Sequence, residues 1–268
     1  MAGSSLAAEE PRTRHLVRCG DDIQVEVIAE GSGPLVVVLP SGNRDSEDLG
    51  KFAALLGKES FRVLRPQPRG MGKSKGPMTG ITLHDFGRDV AEAIKHEASG
   101  PAVVVGHAYG AWIARVVASD HPDLVRGVVL AATSARNQPE KAAEAYRIAT
   151  DPERPEDQRL KALQDAFFAP GLDPKPWLEG WHPEVRDAYS AAGKATDREN
   201  WWSGGSAPML DLQGEVDPWR PEATRNEIKD ALGDRITVKV IPDASHVLRL
   251  LDEPEVVVKA ITEWIATI

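Results

Sequence analysis

Three short stretches of the sequence contain side chains that could act together in catalysis. They are Gly-His-Ala-Tyr-Gly at residues 106–110, Gly-Glu-Val-Asp-Pro-Trp at 214–219 and Asp-Ala-Ser-His at 243–246. A histidine held by a carboxylate is a general base, and a sharp turn between two glycines is a common place for the nucleophile that such a base activates. Asp217 and His246 supply the carboxylate and the imidazole. The central residue of the turn is Ala108, whose methyl group cannot attack a substrate.

The elements around these stretches predict that all three lie at one edge of a sheet. Ala102–Val105 is a short apolar run between Pro and Gly, which indicates a buried parallel strand, and Tyr109–Ser119 has helical spacing. Strand-like runs at Met209–Leu212 and Ile236–Ile241 directly precede the other two stretches. Because ligands of parallel sheets bind at the carboxyl ends of the strands, we expect the three stretches to meet there.

Strand-like runs alternate with helical spacing along most of the chain, which predicts an α/β fold with a mostly parallel, doubly wound sheet. His15–Cys19 and Ile23–Ala29 flank a turn and predict an antiparallel hairpin at a sheet edge. Residues 137–206 hold helical pieces and no strand-like run, so they predict a helical cap. The predicted organisation is a loose tail at 1–11, a core at 12–136 and 207–268, and the cap at 137–206. Other helices are predicted over Ser46–Leu56 (with Ser46 as its cap), Leu83–His96, Pro221–Leu232 and Glu255–Ile265.

A second glycine loop follows the apolar run Leu35–Leu39. The backbone N–H of Gly42 in this loop and that of Tyr109, the residue after the turn, could bind a developing oxyanion. Glu215 is the fallback for the acid Asp217. We expect a mostly apolar pocket of about 300–1,000 Å³ between cap and sheet. Its candidate substrate-binding residues are Asn43, His107, Trp112, Trp177 and Trp181.

Composition narrows the function. The net charge is −9 and the pI about 5.3, so nucleic acid is a poor partner. No apolar run is long enough to span a bilayer, and the first residues do not have the pattern of a signal peptide. The single cysteine, Cys19, fits a reducing cytoplasm, and no cluster of residues has metal-ligand spacing. We therefore expect a cytoplasmic protein with a small-molecule substrate, no metal and no cofactor; the oligomeric state stays open.

The three stretches, taken in order, resemble the α/β-hydrolase family from about residue 23 to residue 268. The loop Pro-Arg-Gly-Met-Gly-Lys-Ser at 68–74 is similar to a further motif of that family. The resemblance implies an α/β-hydrolase fold, with Asp217 as the acid and His246 as the base. The segment at 30–42 also resembles mycotoxin-lactone hydrolases, which place their acid after the strand equivalent to Gly127–Ala132. This chain has Ala132 there, so that substrate is not carried over.

Ala108 leaves three interpretations open. In the first, the chain is a hydrolase of small, fairly apolar esters or lactones whose nucleophile has been replaced by alanine, which inactivates it; serine leads over aspartate as the original residue. In the second, alanine is native, and His246 with Asp217 acts as a general base in lyase, C–C cleavage or cofactor-free oxygen chemistry. In the third, the protein is a catalytically silent binding module.

Overall fold

The computed structural model describes residues 12–268, so the predicted tail at 1–11 lies outside the described residues. Eight strands form one sheet, which confirms the predicted α/β class. The strands are β1 (Thr13–Arg18), β2 (Gln24–Glu30), β3 (Leu35–Leu39), β4 (Arg62–Pro66), β5 (Ala102–His107), β6 (Val125–Ala131), β7 (Met209–Gly214) and β8 (Ile236–Ile241). Their order is β1-β2-β4-β3-β5-β6-β7-β8. β1 and β4 pair antiparallel with β2, and all other pairs are parallel.

Helices connect the parallel strands and cover both faces of the sheet. They are α1 (Gly50–Lys58), α2 (Leu83–Glu97), α3 (Tyr109–Asp120), α4 (Glu140–Ala149), α5 (Glu156–Ala166), α6 (Pro183–Ala195), α7 (Glu227–Leu232) and α8 (Pro254–Ile265). Apolar residues of α2 and α3 pack on one face, and those of α1 and α8 pack on the other. None of the helices in residues 12–268 is long and apolar enough to cross a membrane.

The central strand β3 shows how the sequence produces the two layers. Its five residues are all apolar and all buried, as expected for a strand covered on both faces. Val36 and Val38 belong to the cluster beside α1 and α8, whereas Val37 belongs to the cluster beside α2 and α3. Full burial of each such side chain stabilises the fold by about 1.5–3 kcal/mol. The strand therefore fixes the sheet from its middle and leaves its carboxyl end free for a polar loop.

Two predicted helices start differently in the structure. Ser46 is not the cap: the Asp45 side chain accepts the N–H of Glu47, while the Ser46 hydroxyl donates to the carbonyl of Pro66 at 2.7 Å. A 3₁₀ turn over Ser46–Leu49 then leads into α1. The helix predicted from Pro221 begins as another 3₁₀ turn, Glu222–Thr224, so that only α7 is α-helical.

Three helices, α4 to α6, lie between β6 and β7, in the segment where the sequence predicts a cap. We call residues 137–206 the cap segment. Its aromatic and aliphatic side chains form a third apolar cluster, which also includes Trp219 and Val247 from the loops after β7 and β8. The cap segment thus packs on the loops at the carboxyl ends of the strands. The division of the chain into core and cap stays a prediction.

Two glycines let α3 approach the backbones of β5 and of the end of β3. A Cβ atom on Gly106 would lie 2.2 Å from the carbonyl oxygen of Gly110, and one on Gly110 would lie 2.6 Å from the carbonyl oxygen of Pro40. Both distances are far below van der Waals contact. The pair of glycines is therefore a packing requirement of the turn that they enclose.

We predict that Gly106→Ala lowers the free energy of unfolding by about 3 kcal/mol or more, because the added methyl group must push two backbone segments apart. Urea denaturation followed by circular dichroism measures this loss. Gly20→Ala is the matched control, since a Cβ there would meet only the Ile23 side chain, at 3.4 Å or more. Equal stability of the two variants would contradict the close approach.

Candidate active site

Ala108 occupies a strained turn between β5 and α3. Its backbone has φ 51° and ψ −108°, a conformation that residues other than glycine rarely adopt. The Ala108 N–H donates to the carbonyl of Ala131 at the end of β6, at 2.9 Å. Such strain costs about 1–3 kcal/mol and persists only where the surrounding structure enforces it, most often at functional sites.

His246 and Asp217 form a buried pair. Nδ1 of His246 lies 3.0 Å from Oδ2 and 3.2 Å from Oδ1 of Asp217, and the two residues are 4% and 3% exposed. An ionised carboxylate only accepts hydrogen bonds, so the imidazole donates through Nδ1, which leaves Nε2 able to accept a proton. The N–H of Trp219 donates to Oδ1 of Asp217 at 2.9 Å and fixes the carboxylate. The pair has the geometry of a general base and its orienting acid.

The loops after β7 and β8 meet through a third close backbone approach. A Cβ on Gly214 would lie 2.5 Å from the carbonyl oxygens of Ala244 and Ser245, and the N–H of Val216 donates to Ala244 at 2.9 Å. The fallback acid Glu215 accepts the backbone N–H of Asp243 at 3.0 Å. Glu215 therefore joins the two loops, and Asp217 is the carboxylate that contacts the imidazole.

His107, next to Ala108, forms a hydrogen bond with the backbone of His246. Its Nε2 lies 2.8 Å from the backbone carbonyl oxygen of His246, which can only accept, so this nitrogen carries the proton. Burial, and to a smaller extent the neighbouring His246, lowers the pKa of His107 to about 3. His107 is therefore a neutral hydrogen-bond donor that ties the loop after β8 to the strained turn.

Gly42 lies against the residue that follows the turn. A Cβ on Gly42 would be 3.2 Å from the Cβ of Tyr109, so a larger residue would crowd this contact. Tyr109 is the first residue of α3, where backbone N–H groups have no partner within the helix and the helix dipole favours negative charge. The two residues that the sequence proposes for an oxyanion therefore lie side by side, and their N–H groups remain candidates for that role.

Aromatic rings of the cap segment and of the loop after β7 surround His246. The rings of Trp219 and Phe167 lie 5.2 and 5.5 Å from the imidazole, centroid to centroid. Trp177 contacts the His107 ring at 6.5 Å, and Trp181 packs against both Trp177 and Phe167. The surroundings of the His246 imidazole are thus apolar and aromatic.

Arg44 joins the loop after β3 to the cap segment. Its guanidinium lies against both the Trp177 and the Trp181 rings, at 4.7 and 4.8 Å from their centroids. It also donates to the Asp48 carboxylate and to the Glu179 carbonyl. Such stacking is worth about 2 kcal/mol or more when the cation is desolvated, and Arg44 is only 3% exposed. This arginine therefore holds the two aromatic rings over the site.

Comparison with known proteins agrees with this architecture. Residues 36–260 match the Alpha/beta hydrolase family. The chain belongs to this family. It is 29% identical over 265 residues to a 2-(acetamidomethylene)succinate hydrolase of Mesorhizobium japonicum. The aligned region covers 91% of this chain and 92% of that protein. A crystal structure of E-2-(acetamidomethylene)succinate hydrolase is similar with a TM-score of 0.75 and 22% identity, over 96% of this chain and 100% of that one. An esterase from Thermogutta terrifontis with malate bound has a TM-score of 0.75 and 25% identity, over 96% and 99%.

Two of the sequence-predicted pocket residues of this alpha/beta hydrolase have other contacts. Trp112 packs against Tyr109 and Trp201 in the cluster beside α2 and α3, away from the rings around His246. Asn43 is 2% exposed, and its side-chain amide donates to the Tyr146 hydroxyl at 2.6 Å. Trp112 therefore supports the turn from the core side, and the Asn43 amide already has a partner.

The structure has a small cavity beside the loop after β3. It measures about 30 Å³, with Ser41 and Tyr109 among its lining residues, and neither Ala108 nor His246 lines it. The hydroxyl of Tyr109 donates to the carbonyl of Tyr189 in α6 and thereby joins the core to the cap segment. The expected pocket of about 300–1,000 Å³ between cap and sheet stays a prediction.

We predict that His107 makes the fold acid-sensitive. Its pKa in the folded chain is about 3 against an ordinary 6.5, so below pH 6.5 the unfolded chain takes up a proton that the folded chain does not. Stability is therefore lost as the pH falls through this range, by about 2 kcal/mol between about pH 7.5 and about pH 5.

His107→Gln keeps an N–H donor near the position of Nε2 and removes the titration. Urea unfolding at both pH values should show a decrease that is smaller by about 2 kcal/mol in the variant. An identical decrease in both proteins would mean that His107 is protonated in the folded state.

Proposed function

We propose that the protein is a hydrolase of small, fairly apolar esters or lactones, with an Ala108-His246-Asp217 constellation in place of a Ser-His-Asp triad. The observation that supports this most is the buried His246–Asp217 pair, whose loop is bonded through His107 to the strained turn at Ala108. A turn of this strain would have little use if no reactive group had to be presented there.

A serine at position 108 would make the chemistry complete. Its hydroxyl oxygen would attack the substrate carbonyl while Nε2 of His246 takes the hydroxyl proton. The N–H groups of Gly42 and Tyr109 would bind the resulting oxyanion. The leaving alcohol would take the proton from His246, and water would release the acid in the second half of the reaction. With Ala108 no covalent intermediate forms, so the chain binds substrate without a burst of product.

The apolar rings around His246 support the substrate class. Phe167, Trp177 and Trp219 offer flat apolar surfaces, and the adjacent guanidinium of Arg44 is already bound by Asp48. The Mesorhizobium relative is named a hydrolase of 2-(acetamidomethylene)succinate. We propose an uncharged ester or lactone here. The Arg44 guanidinium is already paired with Asp48, so it is not available to bind the carboxylates of a dicarboxylate ligand.

A second function is favoured because all the contacts that orient the His246 imidazole are present with alanine at position 108. His246 is oriented by Asp217, which is held by the Trp219 N–H, and none of these contacts involves a side chain at 108. If alanine is the native residue, His246 would abstract a proton from the substrate or from water directly. Lyase, C–C cleavage or cofactor-free oxygen chemistry would then be the activity.

We predict that Ala108→Ser raises kcat/KM for aryl esters or lactones by about 10³-fold or more, since loss of a triad serine costs about 10⁶ in kcat in a serine protease. Hydrolysis of an aryl ester and lactone panel, with a search for a burst phase, measures the gain. Ala98→Ser is the matched control, because Ala98 is exposed and has a similar φ of 53°. If kcat/KM does not increase in a folded Ala108→Ser protein, the hypothesis of an original serine is wrong.

We predict that His246→Ala leaves the background rate of the unaltered chain within about twofold, because triad members act as a unit and no nucleophile is present to activate. Product formation by the two proteins is compared over the same substrate panel. A large decrease, with a smaller one for Asp217→Asn, would instead establish the dyad as the catalytic base and favour the second function.

A further inference from the structure

Tyr146 in α4 belongs to the cap segment, yet its side chain reaches the loop after β3. The amide nitrogen of Asn43 donates to the Tyr146 hydroxyl oxygen at 2.6 Å. Asn43 is the residue after Gly42, and its φ of 58° turns the loop toward the cap. The phenol of Tyr146 therefore lies beside the loop that carries one of the two candidate oxyanion donors.

Two of the rings that pack against Tyr146 also pack against His246. Its ring lies 6.3 Å from both Trp219 and Phe167, and each of those rings packs against His246. Trp181 closes a further side at 6.1 Å. The phenol thus belongs to the group of aromatic rings that packs against the imidazole.

The direction of the Asn43 contact leaves the phenol proton free. An amide N–H can only donate, so the Tyr146 oxygen is the acceptor in this hydrogen bond, and its own O–H must point elsewhere. Within residues 12–268 that O–H has no acceptor. Burial raises the pKa of Tyr146 to about 12, so the group stays a donor at neutral pH. Tyr146 is half-buried, and a ligand oxygen that displaces solvent from this group would accept its proton.

We propose that Tyr146 donates a hydrogen bond to a second oxygen of the substrate, apart from the scissile carbonyl, and that Asn43 is the positioning residue that aims it. This inference rests on the proposed function and deepens it. The preferred substrate is an apolar ester or lactone that carries an additional carbonyl or hydroxyl oxygen. Tyr146 thereby becomes a specificity-determining residue that sequence patterns do not indicate.

A matched pair of ligands tests the proposal on the unaltered Ala108 chain, where binding is measured without turnover. Methyl 4-oxo-4-phenylbutanoate carries the second oxygen as a ketone. Methyl 4-phenylbutanoate has a methylene group in place of that ketone carbonyl. Isothermal titration gives the ratio of the two dissociation constants. One neutral hydrogen bond corresponds to about a two- to tenfold change, so Tyr146→Phe should shift the ratio against the keto ester by about that factor.

Asn43→Asp distinguishes a directed donor from a merely structural residue. Aspartate tolerates the positive φ, and its carboxylate would accept the phenol proton and withdraw it from the ligand. Asn43→Asp should therefore shift the ratio in the same direction as Tyr146→Phe. Tyr189→Phe is the control: Tyr189 donates to the carbonyl of Arg69 at 3.0 Å, so its loss should leave the ratio unchanged.

The outcomes separate this inference from the function on which it rests. An unchanged ratio in Tyr146→Phe, or binding of neither ester, overturns the role of Tyr146. The proposed hydrolase function falls only if Ala108→Ser is also inactive on the ester and lactone panel. A keto-ester preference that is lost in both Tyr146→Phe and Asn43→Asp supports both.

Discussion

The contact of β5 with α3 is the constraint on which the site depends. Gly106 lets the backbone of β5 meet that of α3, and Gly110 lets α3 meet the end of β3. Between these two glycines the chain turns through the strained conformation of Ala108. That conformation directs the start of α3 toward the loops after β3, β7 and β8. The buried strands supply the free energy that maintains the strain, since each apolar side chain buried in β3 and β5 contributes about 1.5–3 kcal/mol.

The base is fixed by contacts that do not involve the side chain at 108. Asp217 is held by a backbone N–H, His246 is held by Asp217, and His107 holds the backbone of His246. A methyl group and a hydroxymethyl group at 108 would therefore leave the same apparatus in place. Under the proposed function, the residue at this one position would decide between covalent chemistry, base chemistry and binding.

The sequence predicts the core of the site well because its residues follow strands, and strands have a recognisable period. Asp217 and His246 follow β7 and β8, and the mostly parallel sheet with an antiparallel hairpin at its edge is predicted from the same strand-like runs. Tyr146, Phe167 and Arg44 are not predicted, because their roles arise from contacts between segments far apart in the chain. Arginine in a polar loop usually faces solvent, so nothing in the pattern indicates that Arg44 lies buried against two tryptophan rings.

One consequence follows from the position of β8 in the sheet. Among residues 12–268 this strand pairs only with β7, and several of its residues are partly exposed, yet the loop that follows it carries His246. Edge elements open locally at a lower free energy than the whole fold, as amide hydrogen exchange reveals in many proteins. Fraying of β8 would withdraw the imidazole while β3 and β5 stay intact. The site is therefore less resistant to mild denaturant than the sheet that builds it, and loss of function would precede loss of secondary structure.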